Sequence, residues 1–181
     1  MTLPLTAGPW QVRPAEPTGT DVDLITRWMS APHVEEFWHQ AWDTARWSEE
    51  IAGQRTGAHS LPCLALYEGE PLAYLELYRV VLDRLAPCYP SLPDDLGVHI
   101  AIGDVAETGR GLGRSLLRTV ADGMLVAEPG SRRVVAEPDA RNTESLRAFS
   151  AAGFEHCGEI ALPEKTAALM VRPRSREDLP R

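Results

Sequence analysis

A glycine-rich turn between a predicted strand and a predicted helix constrains this chain more than any other segment. The turn covers residues 108–115 and contains Gly109, Gly111 and Gly113. Glycine lets the backbone approach a ligand closely, and the first turn of a helix offers free N–H groups at the positive end of the helix dipole. The turn therefore predicts a phosphate site, although the same residues are also consistent with a turn that only starts a helix.

Two familiar phosphate motifs are excluded by the spacing of these glycines. A P-loop needs Gly-Lys-Ser/Thr after its first glycines, and no such triplet follows here. The dinucleotide fingerprint would place its third glycine at position 114, which is Arg114.

Periodicity elsewhere predicts a mixed sheet covered by helices, in the α/β (α+β) class. A first helix is capped by Thr20 or Asp21, buries residues such as Leu24 and Trp28, and ends at Pro32. The other predicted helices carry Val34, Phe37, Trp38 and Trp42 or cover residues 47–55, 112–124 and 142–152. The predicted strands cover residues 10–13, 61–67, 72–78, 97–102, 133–136, 154–162 and 167–171, and residues 79–95 are predicted to form a loop.

Length and composition indicate a single domain over residues 1–181. The chain is 44% hydrophobic and 24% charged, which excludes disordered and fibrous classes. Proline and charged residues predict loose termini at residues 1–9 and 173–181.

Charge and cysteine usage limit the partners. The net charge of −8 disfavours a nucleic acid and is compatible with a cationic substrate. No apolar run approaches the roughly 20 residues of a membrane span, and the first ten residues lack a signal-peptide pattern, so we expect a cytoplasmic protein with no membrane partner. Cys63, Cys88 and Cys157 form no CxxC pair and have no histidine at ligand spacing, which predicts reduced thiols and no metal site.

A histidine in a strand is the second functional signal. Val98, Ile100 and Ile102 share one apolar face of the strand, and His99 lies on the other face between Gly97 and Ala101. Two such small neighbours leave room for a ligand beside the imidazole. A structural histidine is the competing interpretation.

Polar residues after the next strand are the third signal. Asp139 follows a strand end and precedes a helix, a place that suits catalytic carboxylates and ordinary turn residues alike. Asn142 follows it and is also a candidate helix cap.

Together these segments resemble the GNAT superfamily of acyl-CoA N-acyltransferases over about residues 60–172. The chain is further similar to the siderophore branch, which makes hydroxamates from hydroxylysine, hydroxyornithine or hydroxylated diamines. The residues behind this similarity are Trp28-Met29, Pro32-His33-Val34, Phe37-Trp38, residues 74–78, residues 97–100 with Gly103, Glu137-Pro138-Asp139 with Arg141-Asn142, and Lys165 with residues 168–170.

The resemblance implies the GNAT fold, with a splayed strand pair that admits the pantetheine of coenzyme A. The co-substrate it implies is acetyl-CoA, a longer acyl-CoA or succinyl-CoA, with its pyrophosphate on the backbone N–H groups of the glycine turn. The implied cofactor-binding residues are Ile100, Ile102, Thr108, Gly109, Arg110, Gly111, Leu112, Gly113, Arg114, Ser115 and Asn142.

The same resemblance implies the catalytic and acceptor-binding residues. His99 and Asp139 form a polar pair at the thioester, one orienting the acceptor and one serving as base, and which does which stays open. An ordinary histidine pKa near 6.5 suits proton acceptance at neutral pH. Trp38, Trp42, Glu76 and His99 are implied substrate-binding residues, although core packing is the stronger interpretation for the two tryptophans.

Three functions remain open on the sequence alone. The first is acylation of the (hydroxy)amino nitrogen of a lysine, ornithine or diamine acceptor, alongside a siderophore synthetase and an N-hydroxylase. The second is an aminoglycoside 6′-N-acetyltransferase, a class that tends to carry an acidic residue where His99 stands. The third is a non-catalytic acyl-CoA-binding module on the same fold.

Overall fold

Glycines, prolines and apolar periodicity divide the chain into short elements that are joined by short loops. The structure, a computed structural model, describes residues 5–180. The strands are β1 (Leu5–Ala7), β2 (Trp10–Pro14), β3 (Ser60–Tyr67), β4 (Glu70–Arg79), β5 (Leu96–Ile102), β6 (Arg133–Ala136), β7 (Glu155–Ala161) and β8 (Thr166–Pro173). The helices are α1 (Thr20–Met29), α2 (Pro32–Trp38), α3 (Thr44–Thr56), α4 (Leu112–Ala127) and α5 (Thr143–Ala151), with short 3₁₀ turns between some elements.

The strands of residues 5–180 form one mixed sheet in the order β1-β2-β3-β4-β5-β6-β8-β7. Every neighbouring pair is antiparallel except β5 and β6, which are parallel and are connected through α4. Parallel neighbours need such a crossover, and a helix usually supplies it. The predicted mixed sheet covered by helices is confirmed.

The parallel strands β5 and β6 separate soon after they meet. They pair only at Leu96 with Val134 and at Gly97 with Val135, whereas β5 stays paired with β4 up to Ile102. The splayed strand pair that the family resemblance implied is therefore present, and it opens one edge of β5 in the middle of the sheet.

Side-chain alternation along β4 and β5 divides the sheet into two faces. Leu75 and Val98 pack in the core beneath α4 and α5, and Tyr74 and Ala101 pack in the core formed with α1 and α3. His99 lies on the second face, as the alternation predicted.

On the Gly97 side of His99, the expected gap is filled by the ring of Tyr78. A Cβ atom built on Gly97 would lie 2.1 Å from the ring of Tyr78, and the Tyr78 and His99 ring centroids are 4.7 Å apart. The small residue at position 97 accommodates an aromatic ring of the protein.

Two local predictions differ from the structure. Neither Thr20 nor Asp21 caps α1, because both lie inside the helix; Gly19 is its N-cap, and the buried Asp21 accepts hydrogen bonds from Arg13. Trp42 follows α2 and is not part of it.

The expected loose termini are partly ordered. Residues Leu5–Ala7 pair with β2 as an edge strand, and the backbone carbonyl of Asp178 accepts a hydrogen bond from the buried Arg133. Residues 1–4 and 181 lie outside the described part. Within residues 5–180, no helix combines the length and apolar character that crossing a bilayer requires.

We predict that Gly97→Ala destabilises the fold, because the new methyl group overlaps the Tyr78 ring. The hydroxyl of Tyr78 is bound to Glu137, which restricts the ring's movement. We expect the free energy of unfolding, measured by urea denaturation, to fall by about 1–3 kcal/mol.

The matched control is Gly53→Ala in α3, where nothing lies within 4 Å of the new Cβ atom. We expect that change to raise the free energy of unfolding by about 0.5–1 kcal/mol, since alanine is the better helix former. A Gly97→Ala protein as stable as wild type would contradict the packing described above.

Candidate active site

A cavity of about 450 Å³ lies where β5 and β6 separate, bounded by α2, the start of α3, α5 and the β7–β8 turn. Its volume is within the range of small-molecule sites. Of the sequence-predicted site residues, it brings together Trp38, Trp42, Glu76, His99, Ile100, Asp139 and Asn142. The glycine turn and Ile102 do not line it.

Three charged side chains at the base of the cavity form an ion cluster, defined here as Glu76, His99 and Glu137. The Nδ1 atom of His99 is 3.0 Å from Glu76 Oε2, and its Nε2 atom is 2.6 Å from Glu137 Oε1. The side chains of Glu76, His99 and Glu137 are 13%, 29% and 4% exposed. Both ring nitrogens therefore face a carboxylate in a largely dry setting.

The outer oxygens of the ion cluster are bound as well. The hydroxyl of Tyr74 and the Nε2 atom of Gln54 donate to Glu76 Oε1, at 3.1 and 2.9 Å. The hydroxyl of Tyr78 donates to Glu137 Oε2 at 2.9 Å. These bonds hold both carboxylates in place, as a buried polar network requires.

The cluster changes the charge state expected for His99. Burial alone lowers the pKa of His99, but the charge and hydrogen bond of Glu137, with those of Glu76, outweigh burial and raise that pKa to about 10. Burial likewise favours a high pKa for Glu137, but the His99 charge and hydrogen bond lower it to about 2. His99 is thus an imidazolium at neutral pH, and its pKa is not the expected value near 6.5.

Asp139 lines the cavity but makes no hydrogen bond to His99. Its Oδ1 atom accepts from the backbone and Nε of Arg141, and its Oδ2 atom accepts from Arg141 Nη2 at 2.8 Å. The hydrogen bonds from Arg141 hold the pKa of Asp139 below its ordinary value. The expected polar pair, His99 and Asp139, lines one cavity. His99 is paired with Glu76 and Glu137, whereas Asp139 is paired with Arg141.

Glu137 is the site residue that sequence reasoning missed. It lies two residues beyond Val135, and His99 lies two residues beyond the pairing partner Gly97, so the parallel register brings the two side chains together. The signal was an acidic residue directly after a short apolar strand. Lys165 lies near it, with Nζ 4.0 Å from Glu137 Oε1.

The glycine turn presents backbone N–H groups at the start of α4. Gly111 is the N-cap with φ 81°, and no side chain caps the helix. A left-handed N-cap without a capping side chain leaves the first N–H groups of the helix for a ligand, which is the arrangement that binds phosphate.

The polar side chains of the same turn bind within the protein. Thr108 Oγ1 donates to Val105 O, Arg110 pairs with Glu107, and Ser115 Oγ accepts from the indole of Trp10. Leu112 is half-buried against the core, and Arg114 is exposed. The turn therefore fits a pyrophosphate through its backbone rather than through these side chains.

Asn142 is the helix cap that the sequence predicted. Its Oδ1 atom accepts from the backbone N–H of Ser145 and caps α5, and the residue also lines the cavity.

The two predicted tryptophans pack on the core and line the cavity at the same time. The ring of Trp38 lies 5.9 Å from that of His99, and the ring of Trp42 lies 5.0 Å from that of Trp47. The guanidinium of Arg46 covers Trp42 at 3.8 Å.

Within residues 5–180, no group of three or more His, Cys, Asp and Glu side chains is arranged to hold a metal ion.

Comparison of the sequence with known proteins finds acetyltransferases and acyltransferases. A family model described as an acetyltransferase (GNAT) domain matches residues 18–162. Lysine N-acyltransferase MbtK of Mycobacterium sp. (strain MCS) is 36% identical over 178 residues, which are 98% of this chain and 72% of that protein. N(6)-hydroxylysine O-acetyltransferase of Escherichia coli is 30% identical over 162 residues, which are 90% of this chain and 51% of that protein.

Solved structures agree on the fold. Aminoglycoside acetyltransferase AAC(6′)-Ib in complex with coenzyme A has a TM-score of 0.79 and 23% identity, covering 91% of this chain and 95% of its own. The family match over most of the chain, and the identity to MbtK along nearly all of it, agree with the splayed sheet and the uncapped glycine turn: this chain belongs to the GNAT acetyltransferase family and is an acyl-CoA-dependent N-acyltransferase.

Proposed function

We propose that the chain, as a single catalytic domain, acylates the (hydroxy)amino nitrogen of a lysine, ornithine or diamine acceptor in hydroxamate siderophore biosynthesis. The observation that carries the proposal is the ion cluster in the cavity at the opened edge of β5, in a chain 36% identical to a lysine N-acyltransferase. A siderophore synthetase and an N-hydroxylase are the partners proposed for it. The aminoglycoside alternative has only a likeness of fold to support it, at 23% identity.

Acyl-CoA binding is assigned to the glycine turn and the open edge of β5. Beyond Gly97, β5 pairs with β4 alone, so its other edge offers backbone groups to the amides of pantetheine. The Nε2 atom of His33 is hydrogen-bonded to the carbonyl oxygen of Ile102 at 2.9 Å. Ile102 is the last residue of β5, so the free edge ends there. The N–H groups after Gly111 hold the pyrophosphate, and Asn142 lies beside the arm.

Proton transfer is assigned to carboxylates that face the cavity. The attacking nitrogen must lose a proton as the tetrahedral adduct forms, and His99 in its charged form cannot accept one. Glu137 and Asp139 remain as acceptors, and their lowered pKa values make them weak bases. A weak base suffices for a hydroxylamine, because its nitrogen is more acidic in the adduct than an alkylammonium. His99 positions Glu137 and keeps it ionised.

We predict that Gly111→Asp weakens acyl-CoA binding, because it adds a negative charge where the pyrophosphate is held. The control is Gly111→Ala, since both variants place a side chain at φ 81° and share that backbone strain. Calorimetric titration with coenzyme A should show a clearly larger loss of affinity for the aspartate variant, about tenfold or more for an unfavourable charge contact. Equal affinities in the two variants would remove the pyrophosphate from this turn.

We predict that an N-hydroxylated diamine or amino acid is turned over faster than its unhydroxylated parent. A hydroxylamine is less basic than an alkylamine, so more of it is a free nucleophile at neutral pH. Steady-state acyl transfer from acetyl-, succinyl- and longer acyl-CoA donors measures kcat/KM for each acceptor. Faster acylation of kanamycin-type amines than of either acceptor would favour the aminoglycoside function.

We predict that the pH profile of kcat/KM has no limb near 6.5 that belongs to the protein. The charged form of His99 is the working form, so activity should persist through pH 6.5 and fall as pH rises toward about 10. The two proposed proton acceptors, Glu137 and Asp139, both have lowered pKa values, about 2 for Glu137, so activity should fall only at acidic pH.

Acceptors of different basicity serve as the control for that profile, because a limb due to the acceptor moves with its pKa. A limb that stays near 6.5 with every acceptor would show that neutral His99 is the base.

A further inference from the structure

The wall of the cavity formed by Gln40, Trp42 and Arg46, called here the head-group wall, lies on the segment between α2 and α3. His39 is the left-handed C-cap of α2, with φ 53°, so the helix ends there and the chain turns to place Gln40 and Trp42 in the cavity wall. The carbonyl of Gln40 accepts from the backbone of Trp42 at 2.7 Å and the indole of Trp47 at 3.3 Å, which fixes this turn.

Of the arginine and lysine side chains that line the cavity, Arg46 is the one without an acidic partner among residues 5–180. Arg84 is bound to Glu164 through two hydrogen bonds, Lys165 lies beside Glu137, and His99 lies within the ion cluster. Arg46 rests on the Trp42 ring at 3.8 Å and makes no ion pair with any residue between 5 and 180. A planar guanidinium held by stacking presents a fork of N–H donors that matches a carboxylate.

Gln40 supplies the complementary acceptor on the same wall. Its Oε1 atom is buried and has no hydrogen-bond partner within the described residues. A buried polar atom normally has a partner, so an unmet acceptor in a cavity wall indicates a ligand donor. Arg46 can donate to a carboxylate, and Gln40 Oε1 can accept from an ammonium N–H. Side by side, the two residues suit the carboxylate and ammonium groups of an α-amino acid.

We infer that the head-group wall binds the α-amino-acid end of the acceptor, with Arg46 on the carboxylate and Gln40 Oε1 on the α-ammonium. The acceptor's terminal nitrogen then lies toward the ion cluster, whose one cation, His99, is already paired with Glu76 and Glu137. This inference rests on the proposed function and narrows it: the acceptor is an amino acid with a side-chain amine, and the corresponding decarboxylated diamine is a poor ligand.

The test compares lysine with 1,5-diaminopentane, which is lysine without its carboxylate, and ornithine with 1,4-diaminobutane. Calorimetry on the coenzyme A-saturated protein measures affinity, and acyl transfer to the N-hydroxylated form of each ligand measures turnover. The variants are Arg46→Met, which keeps an apolar side chain against Trp42, and Arg46→Lys, which keeps the charge. Arg27→Met is the matched control, since Arg27 is exposed in the last turn of α1 and does not line the cavity.

We expect the wild-type protein to prefer each amino acid over its diamine by at least tenfold. Arg46→Met should reduce that preference by about ten- to a hundredfold, as the loss of a hydrogen-bonded charge contact implies. Arg46→Lys should restore part of the preference, and Arg27→Met should leave it unchanged. Gln40→Leu should weaken lysine binding but not that of 6-aminohexanoate, which lacks the α-amine.

The two proposals fail in different ways. Wild-type protein that binds the diamine as tightly as the amino acid, or binds neither, would overturn the head-group wall, as would a preference that survives Arg46→Met. An Arg46-dependent preference without acyl transfer to any hydroxylated acceptor would contradict the proposed function and leave the wall in place.

Discussion

The ion cluster of Glu76, His99 and Glu137 stands where the sheet changes from continuous to open. Backbone hydrogen bonds join β5 to β6 only as far as Gly97 and Val135, and two residues later side-chain charges span the same pair of strands. Removing one partner of a buried ion pair leaves an uncompensated charge, so the three residues depend on each other. The same placement of β5 and β6 therefore opens the sheet and brings His99 and Glu137 together as an ion pair.

The aromatic residues around the cluster make this arrangement specific. Tyr78 reaches Glu137 only because its ring crosses the position where a side chain at Gly97 would lie. The hydroxyl of Tyr74, two positions before Glu76 on β4, donates to the Glu76 carboxylate. The Tyr74 ring packs against that of Trp47. The core beneath α1 and α3 is thus continuous with the site, and packing there sets the positions of the charged groups.

Under the proposed function, acyl-CoA and the acceptor are recognised by different parts of the protein. The glycine turn offers backbone N–H groups, which do not depend on side-chain identity, and its polar side chains bind within the fold. The cavity instead uses side chains, with an ion cluster at its base and the stacked Arg46 in its wall. If both proposals hold, acyl-CoA recognition can stay constant while acceptor choice changes with a few residues of the α2–α3 segment.

The amino-acid sequence by itself determined the order of elements, the alternation that separates His99 from Val98, and the turn that starts α4. These are local properties of periodicity and glycine content, and the resemblance built on them led to the family. Tertiary structure alone decided that Glu137 meets His99 and that Tyr78 fills the space at Gly97. The charge of His99 depends on carboxylates 23 and 38 residues away along the chain. No local pattern encodes those distances, because they follow from the β4–β5 pairing and from the register that the α4 crossover imposes on β5 and β6.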